Sequence, residues 1–138
     1  MRVLAVDPGE KRLGLALSDP TGTIANPLTV LRHTSRPIDA AAIAEIAREN
    51  EVGLIVIGES MDDENSPTPQ SRRAGRLAAA IREQIDLPVV LWDEYGSTQA
   101  ARSARIALGA SGRRRKGHMD ELAATFILQT YLDSQADR

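Results

Sequence analysis

The 138-residue chain contains no cysteine. Disulfides, thiolate nucleophiles and zinc–thiolate sites are therefore excluded. That composition suits a reducing compartment, and a cytoplasmic location is expected. Aromatic residues make up 3% of the chain, too few for a platform on which several bases stack. No apolar run approaches the roughly 18 residues that a membrane span needs, so no membrane partner is expected. The first strand signal begins almost at Met1, which is expected to leave no room for a signal peptide. Neither sign of charge dominates: 17 Lys and Arg face 19 Asp and Glu, for a net charge of -2. A chain coated in positive charge is excluded, whereas a local basic patch is not.

What is present is an ordinary apolar fraction, 42%, in a length that fits one domain with a real core. We expect residues 1–138 to form a single domain. Its organising stretch is Val3 to Asp19, V-L-A-V-D-P-G-E-K-R-L-G-L-A-L-S-D. Val3 to Val6 is a short buried-strand signal. Asp7 ends it, Pro8-Gly9 turns the chain, and Leu13 to Leu17 returns. Gly14 offers no side chain where something must come close. A fixed carboxylate beside backbone amides, Lys11 and Arg12 is a candidate metal and phosphate site. The plainer reading, a turn and nothing more, carries equal weight for Asp-Pro-Gly alone.

Pro20-Thr21-Gly22 is a second turn, and Ile24 to Leu31 a third strand, bent or edge-placed because Pro27 cannot donate to a ladder. The short connections make strands one to three an antiparallel meander. From Ile38 to Asn50 the period becomes helical, with Ile38, Ala42, Ile46 and Glu49 on neighbouring turns and Ile43 and Ala47 widening the apolar stripe. Leu54 to Ile57 is apolar throughout, as a strand covered on both faces should be. Met61 to Gln70 has no period and reads as loop. Ala74, Leu77, Ala78, Ile81 and Ile85 mark a second helix, and Val89 to Trp92 a fifth strand ending in Asp93-Glu94. Ser97 or Thr98 begins a helix running to about Leu108. The basic run Arg113-Arg114-Arg115-Lys116 follows. Met119, Leu122, Ala123, Phe126, Ile127 and Thr130 space out a last helix to about Asp133. The predicted fold is α/β: a mixed five-stranded sheet, strands four and five parallel to strand one, with helices on both faces.

Ligands in such folds bind outside the carboxyl ends of the parallel strands. Asp7, Glu59 and Asp93-Glu94 all fall there. Cleaving a phosphodiester needs an activated water and a stabilised leaving oxygen, which two divalent ions held by carboxylates can supply. Asp7, Glu94 and Asp120 are the candidates, far apart in sequence and brought together by the predicted topology. Asp93 and Glu59 are reserves, and Asp19 a weaker one. Each has a plainer reading: Asp120 suits the first turn of any helix, Asp93-Glu94 an ordinary loop, Glu59 a solvated acidic surface with Asp62, Asp63 and Glu64. The run Arg113 to Lys116 is either a solubilising loop or a phosphate clamp. His33 and His118 are too few and too separated for a histidine metal cluster and read as surface residues. Ser18 and Ser60 have no base nearby in sequence. Trp92 and Phe126 read as core.

These segments together resemble the YqgF/RuvX family over nearly the whole chain. The most specific motif is Asp7-x-Gly9-x-Lys11-Arg12-x-Gly14-x-Ala16-x-Ser18-Asp19. Asp93-Glu94 followed by Ser97-Thr98 and Ala100 matches in part. Asp120 with Ala123-Ala124, Ile127-Leu128-Gln129 and Tyr131-Leu132 matches well. The resemblance implies an RNase H-like fold and a nuclease that matures the 5′ end of pre-16S rRNA in ribosome biogenesis, with Mg2+ or Mn2+ as cofactor. It implies Holliday junction resolvase-like activity as the alternative. The partner is then nucleic acid, pre-rRNA or branched DNA, within the small-subunit precursor in the first case.

The chain departs from the family pattern at Gly58-Glu59-Ser60, where Gly-Leu-Pro is usual, and at Tyr95, where Arg is usual. Glu59 is thereby an alternative ligand to Glu94, whose motif is the better match. In the leading reading Asp7, Glu94 and Asp120 are catalytic and hold the metal, while Lys11, Arg12 and Arg113, Arg114, Arg115 and Lys116 hold the nucleic-acid backbone. The rival from another class is a non-catalytic nucleic-acid-binding assembly factor on the same fold. A sugar-kinase-type phosphotransferase, which also opens on an Asp-x-Gly hairpin, would need a second domain for which 138 residues leave no room.

Overall fold

The computed structural model describes residues 1–62, 64–93 and 119–136, with side chains of the last segment from Glu121 onward. Its strands are β1 (Arg2–Pro8), β2 (Arg12–Ser18), β3 (Ala25–Arg32), β4 (Val52–Glu59) and β5 (Val89–Asp93). The helices among the described residues are α1 (Arg36–Glu49), α2 (Pro69–Gln84) and α3 (Met119–Ala136). The strands form one sheet of order β3-β2-β1-β4-β5. β1 pairs antiparallel with β2 and parallel with β4, and β4 pairs parallel with β5. The predicted meander and parallel half are both present.

The sheet is covered on two sides, and alternation decides which side chain goes where. Leu4 and Val6 of β1 join Leu13, Leu15, Ile55, Ile57 and Val89 in a core sealed by α1 and α2. Val3 and Ala5 point the other way and join Ala16, Leu54 and Val56 beneath Ala124, Ile127, Leu128 and Leu132 of α3. β1 is thus buried on both faces, which explains why Val3 to Val6 is uniformly apolar.

Local signals set the ends. Ser35 caps α1 by accepting the Ile38 N–H, with Pro37 in the first turn. Thr68 and Ser71 form a reciprocal capping box that starts α2, so the helix takes over the last two residues of the predicted Met61–Gln70 loop. β3 lies at the edge, as Pro27 requires. Its pairing with β2 slips between Leu15 and Ala16, leaving Leu28 as an extra residue in a bulge.

Two helical stripes differ from the sequence reading. In α1 the buried residues are Asp39, Ala40, Ile43, Ala44 and Ala47, while Ile38 is 56% exposed. In α3 they are Ala124, Ile127, Leu128 and Leu132, while Leu122 is 46% exposed. Alanine-rich helices offer two adjacent apolar stripes, and contact with the sheet selects between them. Trp92 and Phe126, read as core, are only half-buried. Trp92 donates its indole N–H to Thr130 Oγ1 at 3.0 Å and meets Tyr131 edge-on at 5.3 Å between ring centres.

Candidate nucleic-acid active site

Asp7 is half-buried at the carboxyl end of β1, directly across the ladder from Gly14. Alternation with Val3 and Ala5 turns it to the α3 side of the sheet, and Pro8 to the α1/α2 side. Gly14 sets no side chain directly opposite Asp7. On the other flank the β1–β4 register, continued one step beyond Val6 and Ile57, brings Gly58 alongside. A Cβ on Gly58 would lie 2.6 Å from Ile127 Cδ1, so this glycine lets α3 settle onto the sheet.

α3 is steered over this end. Ile127 sits against Gly58, near the carboxyl end of β4. Gln129 clasps the opposite end: its Oε1 accepts the Ala25 N–H at 2.9 Å, and its Nε2 donates to Thr23 O at 3.0 Å. The helix therefore descends from the carboxyl ends of the parallel strands. Asp120 belongs to its first turn, two turns before Ile127 and one before Ala124. The Asp120 side chain, Glu94, and Arg113 to Lys116 lie outside the described residues, as does the helix expected from Ser97 or Thr98 to Leu108. Among the described residues no three His, Asp or Glu side chains converge as a metal-holding group.

The two reserve acids take the other side. Glu59 and Asp93 pair in register at the ends of β4 and β5, and alternation with Ile55 and Ile57 points Glu59 toward the α1/α2 face. Burial first, and then the Asp93 carboxylate, push the Glu59 carboxyl above its ordinary value. Gln70, in the first turn of α2, braces this end by donating to Gly58 O at 3.1 Å and accepting the Ser60 N–H at 2.6 Å.

Asp19 is a structural acid. Its Oδ1 accepts the N–H groups of Thr23 at 2.8 Å and Ile24 at 2.9 Å, and its Oδ2 accepts the Thr21 N–H and hydroxyl. These bonds, led by the one from Ile24, hold its carboxyl far below the usual carboxylate range.

Lys11 and Arg12 are exposed at the β1–β2 turn, which the Gly9 N–H closes by donating to Arg12 O at 2.9 Å. Arg32 lies across the ladder from Arg12. His33 follows, donating its main-chain N–H to Lys11 O at 2.9 Å. Its ring is exposed, as expected, but Nδ1 bonds the buried carboxylate of Asp39. Sequence reasoning missed this pair, because nothing in a helical stripe marks Asp39 as buried. The available clue was its place four residues after the Ser35 cap and six after His33.

Residues 1–134 match the family model described as RuvX, Holliday junction resolvase. A relative from Thermoanaerobacter pseudethanolicus, named "Putative pre-16S rRNA nuclease", is 37% identical over 139 aligned positions covering 100% of both chains. One of the same name from Caldanaerobacter subterraneus subsp. tengcongensis is 41% identical over 136, covering 98% of each. Among solved structures, T. thermophilus RuvC in complex with a Holliday junction substrate superposes with a TM-score of 0.59 at 17% identity, covering 99% of this chain and 96% of that one. The Fowlpox virus resolvase bound to Holliday junction DNA gives 0.55 at 14%, covering 98% and 99%. At such identities the superpositions speak for the fold, which is that of the RuvC-like resolvases. With matches that run nearly end to end, the chain belongs to the RuvX family.

Proposed function

We propose that the chain is a metal-dependent nuclease that hydrolyses phosphodiester bonds in structured nucleic acid, and that its task is 5′-end processing of pre-16S rRNA in the cytoplasm. The single observation that carries this reading is the meeting of two remote segments. β1 brings Asp7 to the carboxyl end of the sheet on the side covered by α3, and α3 begins at that end with Asp120 in its first turn. Residues 1–138 would act as one nuclease domain.

Asp7, Glu94 and Asp120 are assigned to the metal. The donors fit a hard divalent cation such as Mg2+ or Mn2+: they are carboxylate oxygens, cysteine is absent, and His33 is committed to Asp39. Bound there, such ions supply an activated water and stabilise the leaving oxygen. Asp7 would hold its oxygens on a strand buried on both faces, which fixes them without a mobile loop. Lys11 and Arg12, with Arg113 to Lys116, would hold the phosphate backbone. The names of the relatives support the rRNA substrate and the small-subunit precursor as partner.

The family description favours a second reading, endonucleolytic cleavage of branched DNA. The departures at Glu59 and Tyr95 motivate a third, binding to a ribosomal precursor without cleavage. One experiment separates them: the purified chain is incubated with 5′-extended precursor RNA and with a four-way DNA junction, each with Mg2+ or Mn2+. Cleavage of the RNA that disappears in Asp7→Asn supports the first reading. Cleavage confined to the junction moves the assignment to the second, and tight binding without turnover moves it to the third.

A further inference from the structure

At the β1–β2 turn two cavities adjoin. An open groove of about 550 Å³ is lined by Glu10, Lys11, Arg12, Arg32 and His33. A pocket of about 320 Å³ lies beneath the Pro8-Gly9 turn and is lined in part by His33, Arg36, Asp39 and Arg73. His33 is their common wall.

We propose that these cavities form one cationic track that holds the phosphodiester backbone of the substrate beyond the bond that is cut. The inference rests on the nucleic-acid reading above and adds Arg32, His33, Arg36 and Arg73 as substrate-positioning residues.

Three observations carry it. The first is charge. Lys11, Arg12, Arg32, Arg36 and Arg73 line the track against Glu10 and Asp39, in a chain whose net charge is -2. Positive charge is gathered here against the overall balance. Asp39 offsets one of these charges, and its oxygens are turned to His33 Nδ1 and to the Thr34 N–H at 3.1 Å, which leaves five cations against two acids.

The second is an unmet donor. Among the described residues Arg73 Nε is buried and has no hydrogen-bond partner. A buried N–H without an acceptor is costly and uncommon, and a small turn of the guanidinium toward the pocket that it lines would let a phosphate oxygen meet it. A guanidinium is suited to gripping phosphate through paired N–H groups. The third is the fixed imidazole. Asp39 engages His33 Nδ1 and the Lys11 O contact pins its main chain to the turn, so the ring is held as a fixed wall between the two cavities.

Placement gives the track its role. Pro8 and Gly9 form the roof of the pocket and directly follow Asp7, whose side chain points to the other face. A backbone seated in the track would pass around the turn that carries the proposed catalytic carboxylate. Substrate outside the cleaved bond would then be gripped and the bond itself held in register.

The test uses the full chain carrying Asp7→Asn, so that binding is read without turnover. Affinity is measured for a long structured RNA and a four-way DNA junction, each against a version trimmed to the nucleotides around the cut, over a series of salt concentrations. Adding Arg36→Ala and Arg73→Ala should weaken binding of the long substrate about tenfold or more and flatten the slope of log K against log[salt] by about one to two. Trimmed substrate should be affected little. Arg73→Lys should recover part of the loss. Whichever polymer shows the loss, RNA or DNA, is the source of the phosphodiester.

Unchanged affinity and slope for both long substrates would overturn the track and leave the nuclease reading standing if the parent still cuts. Equal weakening for long and trimmed substrates would also overturn it, since the effect would not be confined to an extension. A parent that binds and never cuts removes the nuclease reading, and the track survives if the slope still falls. A parent that binds neither polymer, or a track that takes up an acidic peptide in place of nucleic acid, overturns the proposal.

Discussion

Asp7 and Asp19 sit at opposite ends of one hairpin, and each is followed by proline and then a tight turn. Their local sequences are nearly interchangeable, Asp-Pro-Gly against Asp-Pro-Thr-Gly. The structure uses them differently. Asp19 folds its carboxylate back onto its own turn and accepts from Thr21, Thr23 and Ile24. At the Asp7 end the main chain closes the turn, with the Gly9 N–H on Arg12 O, and the carboxylate belongs to a strand whose cross-strand neighbour is Gly14. A single acid-proline signal therefore marks two jobs. The difference lies in what surrounds each side chain.

The strongest way to break this contrast is to exchange the jobs. If Asp7 is the direct ligand proposed for it, Asp7→Asn should reduce cleavage by more than about 100-fold, since even outer-shell partners of a metal ligand commonly cost 10–100-fold. Far-UV circular dichroism should be unchanged. Asp19→Asn should leave the cleavage rate per folded molecule nearly intact. Equal activity losses in the two variants would end the distinction.

Next in size are the glycines. A Cβ at Gly9 would stand 2.4 Å from Arg12 O, a main-chain atom that cannot swing aside. Gly9→Ala should cost about 1–3 kcal/mol in denaturant unfolding and lower cleavage, because the turn carries Lys11 and Arg12. Gly22 has φ +72°, where an L side chain is strained, and Gly22→Ala should cost about 1 kcal/mol with cleavage unaltered. Gly58→Val sharpens the same point on the neighbouring strand. Its side chain would press on Ile127, costing about 1–3 kcal/mol, and would lift the end of α3 that bears Asp120.

The smallest effect concerns pH. Asp19 has a folded-state value below its ordinary 3.8, so its contribution to stability is complete above that value and is lost as the pH falls toward the folded one. Urea midpoints of the parent and Asp19→Asn should differ near neutral pH and converge below about pH 4. A difference that widens on acidification would overturn the role given to Asp19.

Most of the sheet was legible because strand signals are local. Val3 to Val6 and Leu54 to Ile57 are apolar throughout, and short connections allow only antiparallel pairing. Pro27 marked the edge strand for the same kind of reason. The helix faces were less legible. Ala40, Ala44 and Ala47 bury as well as larger residues would, so composition does not distinguish their stripe from the one containing Ile38. At the site, sequence pointed to the carboxyl ends where Asp7, Glu59 and Asp93 lie. It did not separate the faces, because that depends on counting alternation from a register known only once strands pair. The fourfold acceptance by Asp19 and the bond between His33 and Asp39 join residues through turn geometry, which no periodicity encodes.

The bulge at Leu28 and the missing N–H of Pro27 bear on how the molecule behaves in concentrated solution. An incoming strand would find β3 one donor short and out of step, so growth of the sheet by accretion of further copies is blocked along that border. That border of the sheet is thereby a poor template for a second copy of the chain.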